Sequence, residues 1–162
     1  MEVRLDEKDI KILEELQKNC RIPARELAKK LGSPITTVYA RIKRLERLGV
    51  IKGYTAALNP FKLGFHTTAF ILISYSTNER KSQRDVAREI AELPEVQEVH
   101  IVTGDWDILV KVKVRDVEEL GKFVVDKLRS IEGVGKTLTS VVLSTEKETA
   151  ALKLNLIQRE QK

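Results

Sequence analysis

Apolar residues recur at helical spacing in three short runs near the start of the chain, and then at strand and helix spacing by turns through the rest. Ile10, Ile12, Leu13 and Leu16 form the stripe of a first helix, with Asp6 as its cap, Asp9 three residues later and a stop at Asn19. A second, short helix opens at Pro23, turns Leu27, Ala28 and Leu31 inward and ends at Gly32. Ser33 caps a third, which tolerates Pro34 because a first-turn N–H has no partner inside the helix. On this third helix Ile35, Val38, Ile42 and Leu45 share one face, while Thr36, Ala40, Lys43 and Arg47 lie opposite, flanked by Thr37 and Arg44. Gly49 ends it, and residues 50–58 read as an extended, strand-like segment of the kind that forms a wing or hinge. Asn59-Pro60 and Lys62-Leu63-Gly64 then break the pattern.

Beyond that break the periodicity changes. Thr67–Tyr75 is a strand with apolar residues on both faces, and Ser82–Leu93 is a helix with Val86, Ile90 and Leu93 inward, stopped by Pro94. Val96–Val102 and Asp107–Val114 are strands, the second alternating Ile108, Val110, Val112 and Val114 against polar partners. Val117–Ile131 is a helix, Gly133-Val134-Gly135 a break, and Lys136–Ser144 the last strand. The order βαββαβ is that of a ferredoxin-like split unit, so the expected class is α+β: a winged helix-turn-helix followed by a ferredoxin-like domain. The domains are read as 1–58, a hinge at 59–66, 67–146, and a tail at 147–162 in which Leu152 and Leu156 keep helical spacing. Two helices cover one face of such a sheet and leave the other side of the first strand bare. Burying several hundred Å² there contributes on the order of 10 kcal/mol before association entropy, and a two-fold axis lets one patch cover itself. A sheet-to-sheet homodimer is expected.

Composition narrows the chemistry. The chain of 162 residues is 42% hydrophobic and 33% charged, with one cysteine and two histidines. Cys20 alone excludes an intrachain disulfide or a cysteine zinc site and reads as buried core; a metal centre is not expected. No stretch is apolar enough to span a membrane, and the charged N-terminus lacks a signal core, which points to the cytoplasm. Residues 1–60 hold 13 Lys and Arg against 8 Asp and Glu, whereas the remainder holds 16 of each, so the net charge of +5 sits in the first third. Between Ser33 and Lys52 only Glu46 opposes five cations. Two helices joined by a tight Gly-Ser-Pro turn, the second basic on its outer side and small at Ala40, make a helix-turn-helix able to approach a groove floor. Candidate DNA-binding residues are Ser33, Thr36, Thr37, Ala40, Arg41, Lys43, Arg44 and Arg47.

The run Leu5-Asp6-x-x-Asp9-x-x-Ile12-Leu13-x-x-Leu16-Gln17-x-Asn19-x-Arg21, then Glu26-Leu27-Ala28, then Val38-x-x-Arg41-Ile42-x-x-Leu45-x-x-x-Gly49-Val50-Ile51-x-Gly53-Tyr54, resembles the Lrp/AsnC (feast/famine) transcription regulators. The resemblance extends to about Thr149. It implies homodimers that assemble into tetramers or octamer-like rings and read pseudo-palindromic double-stranded DNA. It further implies a small-molecule effector, expected to be an amino acid, bound at the turn Thr103-Gly104-Asp105-Trp106-Asp107 with Thr137, Thr139 and Ser140 facing the pocket. His100, on the strand leading into this turn, is kept as an additional candidate. A glycine that exposes backbone beside a carboxylate suits the two charged ends of an amino acid. An effector-independent regulator or DNA-architectural protein is the alternative. An enzyme like the sirohaem decarboxylases of similar layout is a remote one, because only His100 could serve as its proton-transferring histidine. The richness in Lys and Glu, with scarce Met and Cys, suits a heat-adapted source, and the resemblance implies an archaeal or thermophilic, nucleoid-associated protein.

Overall fold

The computed structural model describes residues 3–76 and 81–154, which fall into two compact units. The first comprises the chain up to Ala57 together with the segment from Glu148; the second is Leu58–Lys147.

In the first unit α1 (Glu7–Lys18), α2 (Ala24–Leu31) and α3 (Ile35–Arg47) pack around Ile10, Ile12, Leu13, Leu27, Ala28, Val38 and Leu45. Asp6 and Asp9 form a reciprocal capping box: the Asp6 carboxylate accepts the Asp9 N–H at 2.9 Å, and Asp9 accepts that of Asp6 at 3.3 Å. Gly32 closes α2 with φ +56°, a left-handed conformation that glycine adopts without penalty. Three expectations need correction. Ser33 does not cap α3: its hydroxyl donates back to the Leu31 carbonyl, and Pro34 holds the cap position with no side-chain hydrogen bond. Ile35 is not inward but 47% exposed, because it lies at the margin of the stripe, about 60–80° around the helix from the buried Val38 and Leu45. Cys20 is exposed, since α1 has already ended at Lys18 and the connection runs over the surface.

The tail also departs from its expected helical spacing. Residues 148–153 have no regular secondary structure and Leu152 is exposed, whereas Leu154 is buried in the same core as Ile10 and Leu27. The Gln17 side-chain amide grips the strap on both edges, donating to the Leu152 carbonyl at 3.1 Å and accepting its N–H at 2.7 Å. Leu156 lies outside the described residues. Residues 52–59 follow α3 without regular secondary structure and without a strand partner in the described chain; Lys52 to Asn59 are all exposed.

In the second unit β1 (Thr67–Tyr75), β2 (Val96–Ile101), β3 (Ile108–Val114) and β4 (Val134–Val141) form one antiparallel sheet in the order β2-β3-β1-β4, with α4 (Gln83–Ala91) and α5 (Val117–Lys122) as crossovers. The Ser82 hydroxyl and the Asp116 carboxylate cap the two helices. The helix read as one piece over 117–131 changes winding, passing through a π turn at Phe123–Lys127 and a 3₁₀ turn at Leu128–Ser130 that bring Phe123, Val124 and Leu128 all inward. β4 starts at Val134, two residues earlier than the glycine break suggests, because Val134 pairs with Tyr75 after a register shift.

The register places residues in rows across the sheet. Ile101, Ile108, Ile73 and Thr137 form one row on the helix-covered side, and Val99, Val110, Ile71 and Thr139 the next. On the other side run His100, Leu109, Leu72 and Leu138, then Glu98, Lys111, Phe70 and Ser140. On the helix side Ile71, Ile73, Ile108, Val110 and Val112 are fully buried, while Ile101 at the end of β2 is 46% exposed. The other side leaves Phe70 37% and Leu138 48% exposed.

Candidate nucleic-acid interface and effector loop

The outer side of α3 is basic, but several of its cations are already engaged. Arg41 belongs to the expected set by its place in the basic run, yet its guanidinium sits between Asp6 Oδ2 at 2.7 Å and Asp9 Oδ1 at 2.8 Å. It braces α3 against the start of α1 and does not face outward. Asp9 is only 2% exposed and also receives Arg44 at 3.1 Å, so one buried carboxylate orients two arginines. The Asp9 N–H, with help from Arg41, holds the Asp6 carboxyl below its ordinary value; Asp6 and Asp9 in turn push the Arg41 guanidinium up. Arg44 keeps almost half its surface and lines, with Arg4, Thr37, Ala40 and Arg47, an open cleft of about 910 Å³. Ser33 is half-buried and turned to α2.

Thr36, Ala40, Lys43 and Arg47 are exposed together, as their spacing predicts. Lys43 is 2.8 Å from Glu46 Oε2, and the Tyr54 hydroxyl donates to Glu46 Oε1 at 3.0 Å, so the segment after α3 is tied to the helix. Shielding of its hydroxyl and the adjacent Glu46 carboxylate push the Tyr54 phenol up to about 12. Lys43 and Tyr54 hold the Glu46 carboxyl low. The residue that sequence reasoning missed is Tyr39, 57% exposed on α3, with the Lys43 ammonium 5.6 Å from its ring centre. Its position one turn after Ile35 was the available signal, hidden by assigning Ile35 to the core.

The turn between β2 and β3 is built from the backbone outward. Gly104 has φ +119°, which a side chain would strain. The Val102 N–H donates to the Asp107 carbonyl, and the Asp107 N–H to the Ile73 carbonyl. Asp107 Oδ2 accepts the Tyr75 N–H at 2.7 Å, and Gln83 donates to the Asp107 carbonyl at 3.2 Å. Asp107 is therefore a strut that fixes the turn to β1 and α4. Asp105 is exposed and has no side-chain partner among the described residues. Thr103 and Gly104 are exposed and Trp106 is half-buried.

The remaining candidates separate. Thr137 lies at the turn's end of the sheet, opposite Ile73, and its hydroxyl accepts from Arg129 Nη2 at 3.0 Å and Nε at 3.2 Å. Thr139 is one row further in on the same face. Ser140 and His100 are on the opposite face, because strand residues alternate sides. His100 pairs with Glu98 at 3.3 Å and, with Lys111, holds the Glu98 carboxyl low. Thr137 thus shares the turn's end of the sheet on the helix-covered face, and Ser140 and His100 lie on the other face.

Known proteins agree with this layout. The family model described as winged helix-turn-helix DNA-binding matches residues 5–52, and that of the Lrp/AsnC ligand binding domain matches residues 68–152. The chain is 51% identical over 144 residues to an HTH-type transcriptional regulator of Pyrococcus horikoshii, covering 89% of this chain and 96% of that one. It is 44% identical over 148 residues to the HTH-type transcriptional regulator FL11 of Pyrococcus furiosus, covering 91% and 95%. Among solved structures, a transcriptional regulator of Neisseria meningitidis in complex with L-Met has a TM-score of 0.85 at 34% identity, covering 95% of this chain and 99% of that one. A feast or famine regulatory protein of M. tuberculosis, complexed with L-methionine, has a TM-score of 0.84 at 26% identity, covering 92% and 99%. The relatives are regulators, not enzymes, which removes the decarboxylase alternative. With a helix-turn-helix unit and a ligand-binding unit both matched, the chain belongs to the Lrp/AsnC family of DNA-binding transcription regulators.

Proposed function

We propose that the chain recognises specific double-stranded DNA sites through α3 and that a small amino acid bound at the β2–β3 turn modulates this binding. The observation that carries the first part is the exposed row Thr36, Ala40, Lys43 and Arg47, with Arg44 held in position by Asp9. Small and hydroxyl side chains admit the helix backbone to a major groove, while the cations reach phosphates or guanine edges. For the second part, Asp105 supplies a carboxylate for an ammonium group, and the open backbone around Gly104 supplies N–H donors for a carboxylate. Thr137, oriented by Arg129, is the hydroxyl at the same end of the sheet. Two relatives whose structures hold methionine make an amino acid the natural effector class.

A second copy of the chain covers the sheet face that carries Phe70, Leu72, Leu109 and Leu138, giving a two-fold dimer whose two α3 helices read a pseudo-palindromic site. Larger assemblies of dimers would let an effector alter the spacing of the reading heads. As a DNA-binding regulator the protein acts in the cytoplasm, on the nucleoid. No helix among the described residues is long and apolar enough to cross a membrane.

Fluorescence anisotropy on a labelled duplex, repeated with each of the twenty amino acids, tests the proposal. Lys43→Glu combined with Arg47→Glu should weaken duplex binding at least about tenfold, and Asp105→Asn should remove the response to the active amino acid. Unchanged duplex affinity in the double variant would overturn the α3 reading. No response to any amino acid would overturn the effector reading.

A further inference from the structure

Charge does not account for one flank of α3. Ile35 and Tyr39, one turn apart, are 47% and 57% exposed, although the same unit buries Val38 and Leu45 completely. They lie on the side of the exposed row away from Arg41 and Arg44, so the helix has a guanidinium flank and an apolar, aromatic one. The ring of Tyr39 is not left to wander: the Lys43 ammonium stands 5.6 Å from its centre, and Glu46 holds that ammonium at 2.8 Å. A tyrosine has few torsions to freeze, so this is a pre-set aromatic plate with a cation over its ring.

In a major groove such a plate has one base-specific partner. Guanine, cytosine and adenine are read in the major groove by hydrogen-bonding groups, whereas thymine adds a projecting 5-methyl group. We propose that Tyr39, with Ile35 beside it, is a specificity-determining residue that reads a thymine methyl in each half-site, and that Lys43 is thereby aimed at the neighbouring phosphate or guanine edge. The proposal rests on the DNA reading of α3 given above and names the chemistry of its target: a duplex with thymine at a fixed position of the half-site. The exposed row holds no acidic side chain, and the one acid on the flank, Glu46, is engaged by Lys43 and Tyr54, which suits a polyanion better than a protein surface.

Half-sites selected by the full-length protein from a randomised duplex pool provide the probe, and each thymine is then replaced singly by deoxyuridine, which removes only the methyl. One thymine per half-site should weaken binding about fourfold on losing its methyl, the worth of one buried methyl group. Tyr39→Ala should bind the thymine and deoxyuridine duplexes equally at that position, and Tyr39→Phe should restore the discrimination. If deoxyuridine is silent at every position, or if Tyr39→Ala retains the wild-type penalty, the proposal falls. It also falls if Tyr39→Ala changes the sedimentation of the free protein and keeps the thymine preference, because the flank is then a protein contact. A wild type that binds no duplex overturns the DNA reading and this inference together.

Discussion

Asp9 concentrates several functions in one side chain. It closes the capping box of α1, receives Arg41 and Arg44 from α3, and is almost entirely shielded from water. Removing a shielded carboxylate leaves guanidiniums partly desolvated without a counter-charge, so Asp9→Ala should destabilise the helix-turn-helix unit by about 3 kcal/mol. Chemical denaturation followed by circular dichroism measures this. A loss no greater than that of a typical surface substitution would show that the pair carries little. The neighbouring Asp6 gives the pH dependence. Its carboxyl is held low first by the Asp9 N–H and also by Arg41, so the ionised form is favoured in the folded unit. A group with a depressed folded value contributes stability above its unfolded value, near 4 for an aspartate, and loses it as the pH falls through the lower folded one. Melting temperature should therefore fall below about pH 4, and Asp6→Asn should flatten that fall. Neither residue needs to touch DNA: both act by fixing the direction of Arg41 and Arg44.

Among the elements, the strap after Glu148 is the least expected. Leu154 fills a place in the core of three helices, and Gln17 on α1 makes two hydrogen bonds to the strap backbone. Leu154→Ala should cost about 2–4 kcal/mol in the first unit, as for other buried leucines, and Gln17→Ala about 1 kcal/mol. Thermal melts of the two variants beside the wild type rank these effects, and a larger loss for Gln17→Ala than for Leu154→Ala would mean that the hydrogen bonds, more than the core contact, hold the strap. Sequence spacing could not have located this contact. Val38 and Leu45 announce their burial because the partners of a helix stripe are set by its own period, and the alternation Ile108, Val110, Val112, Val114 likewise fixes its face. Leu154 meets residues more than a hundred positions away, and no local period encodes that. The same limit explains the candidate effector set. The turn was readable because Gly104 needs a left-handed backbone, and strand alternation alone parts Thr137 from Ser140, but the place of His100 relative to Thr137 depends on strand register, which short-range pattern leaves open. Ile35 misled because its spacing fits the stripe while its direction is at the stripe's margin.

For the whole molecule, the ion pairs decide which side chains carry the charge surplus. The first third carries the entire surplus of +5, yet Lys18 and Lys30 are paired with Glu15, Arg41 with Asp6 and Asp9, and Lys43 with Glu46. Counted together these four cations and four acids cancel, so the surplus rests on the other charged side chains of the first third. Arg47 is different: it is exposed on the outer row of α3 and has no ion pair among the described residues. Each phosphate neutralised releases counterions and adds roughly 0.9 to the magnitude of the slope of log affinity against log salt. Arg47→Ala should therefore reduce that slope by about 0.9 for every copy of α3 on the duplex. A two-fold dimer with both helices engaged predicts a change of about 1.8, whereas a single engaged helix predicts about half of that. Arg41→Ala gives the contrast, since its charge is committed to Asp6 and Asp9; it should lower stability and leave the slope nearly unchanged in protein that remains folded. Titrations at several salt concentrations thus count the reading helices without assuming the assembly. A change near zero for Arg47 would mean that the outer row of α3 does not meet phosphate.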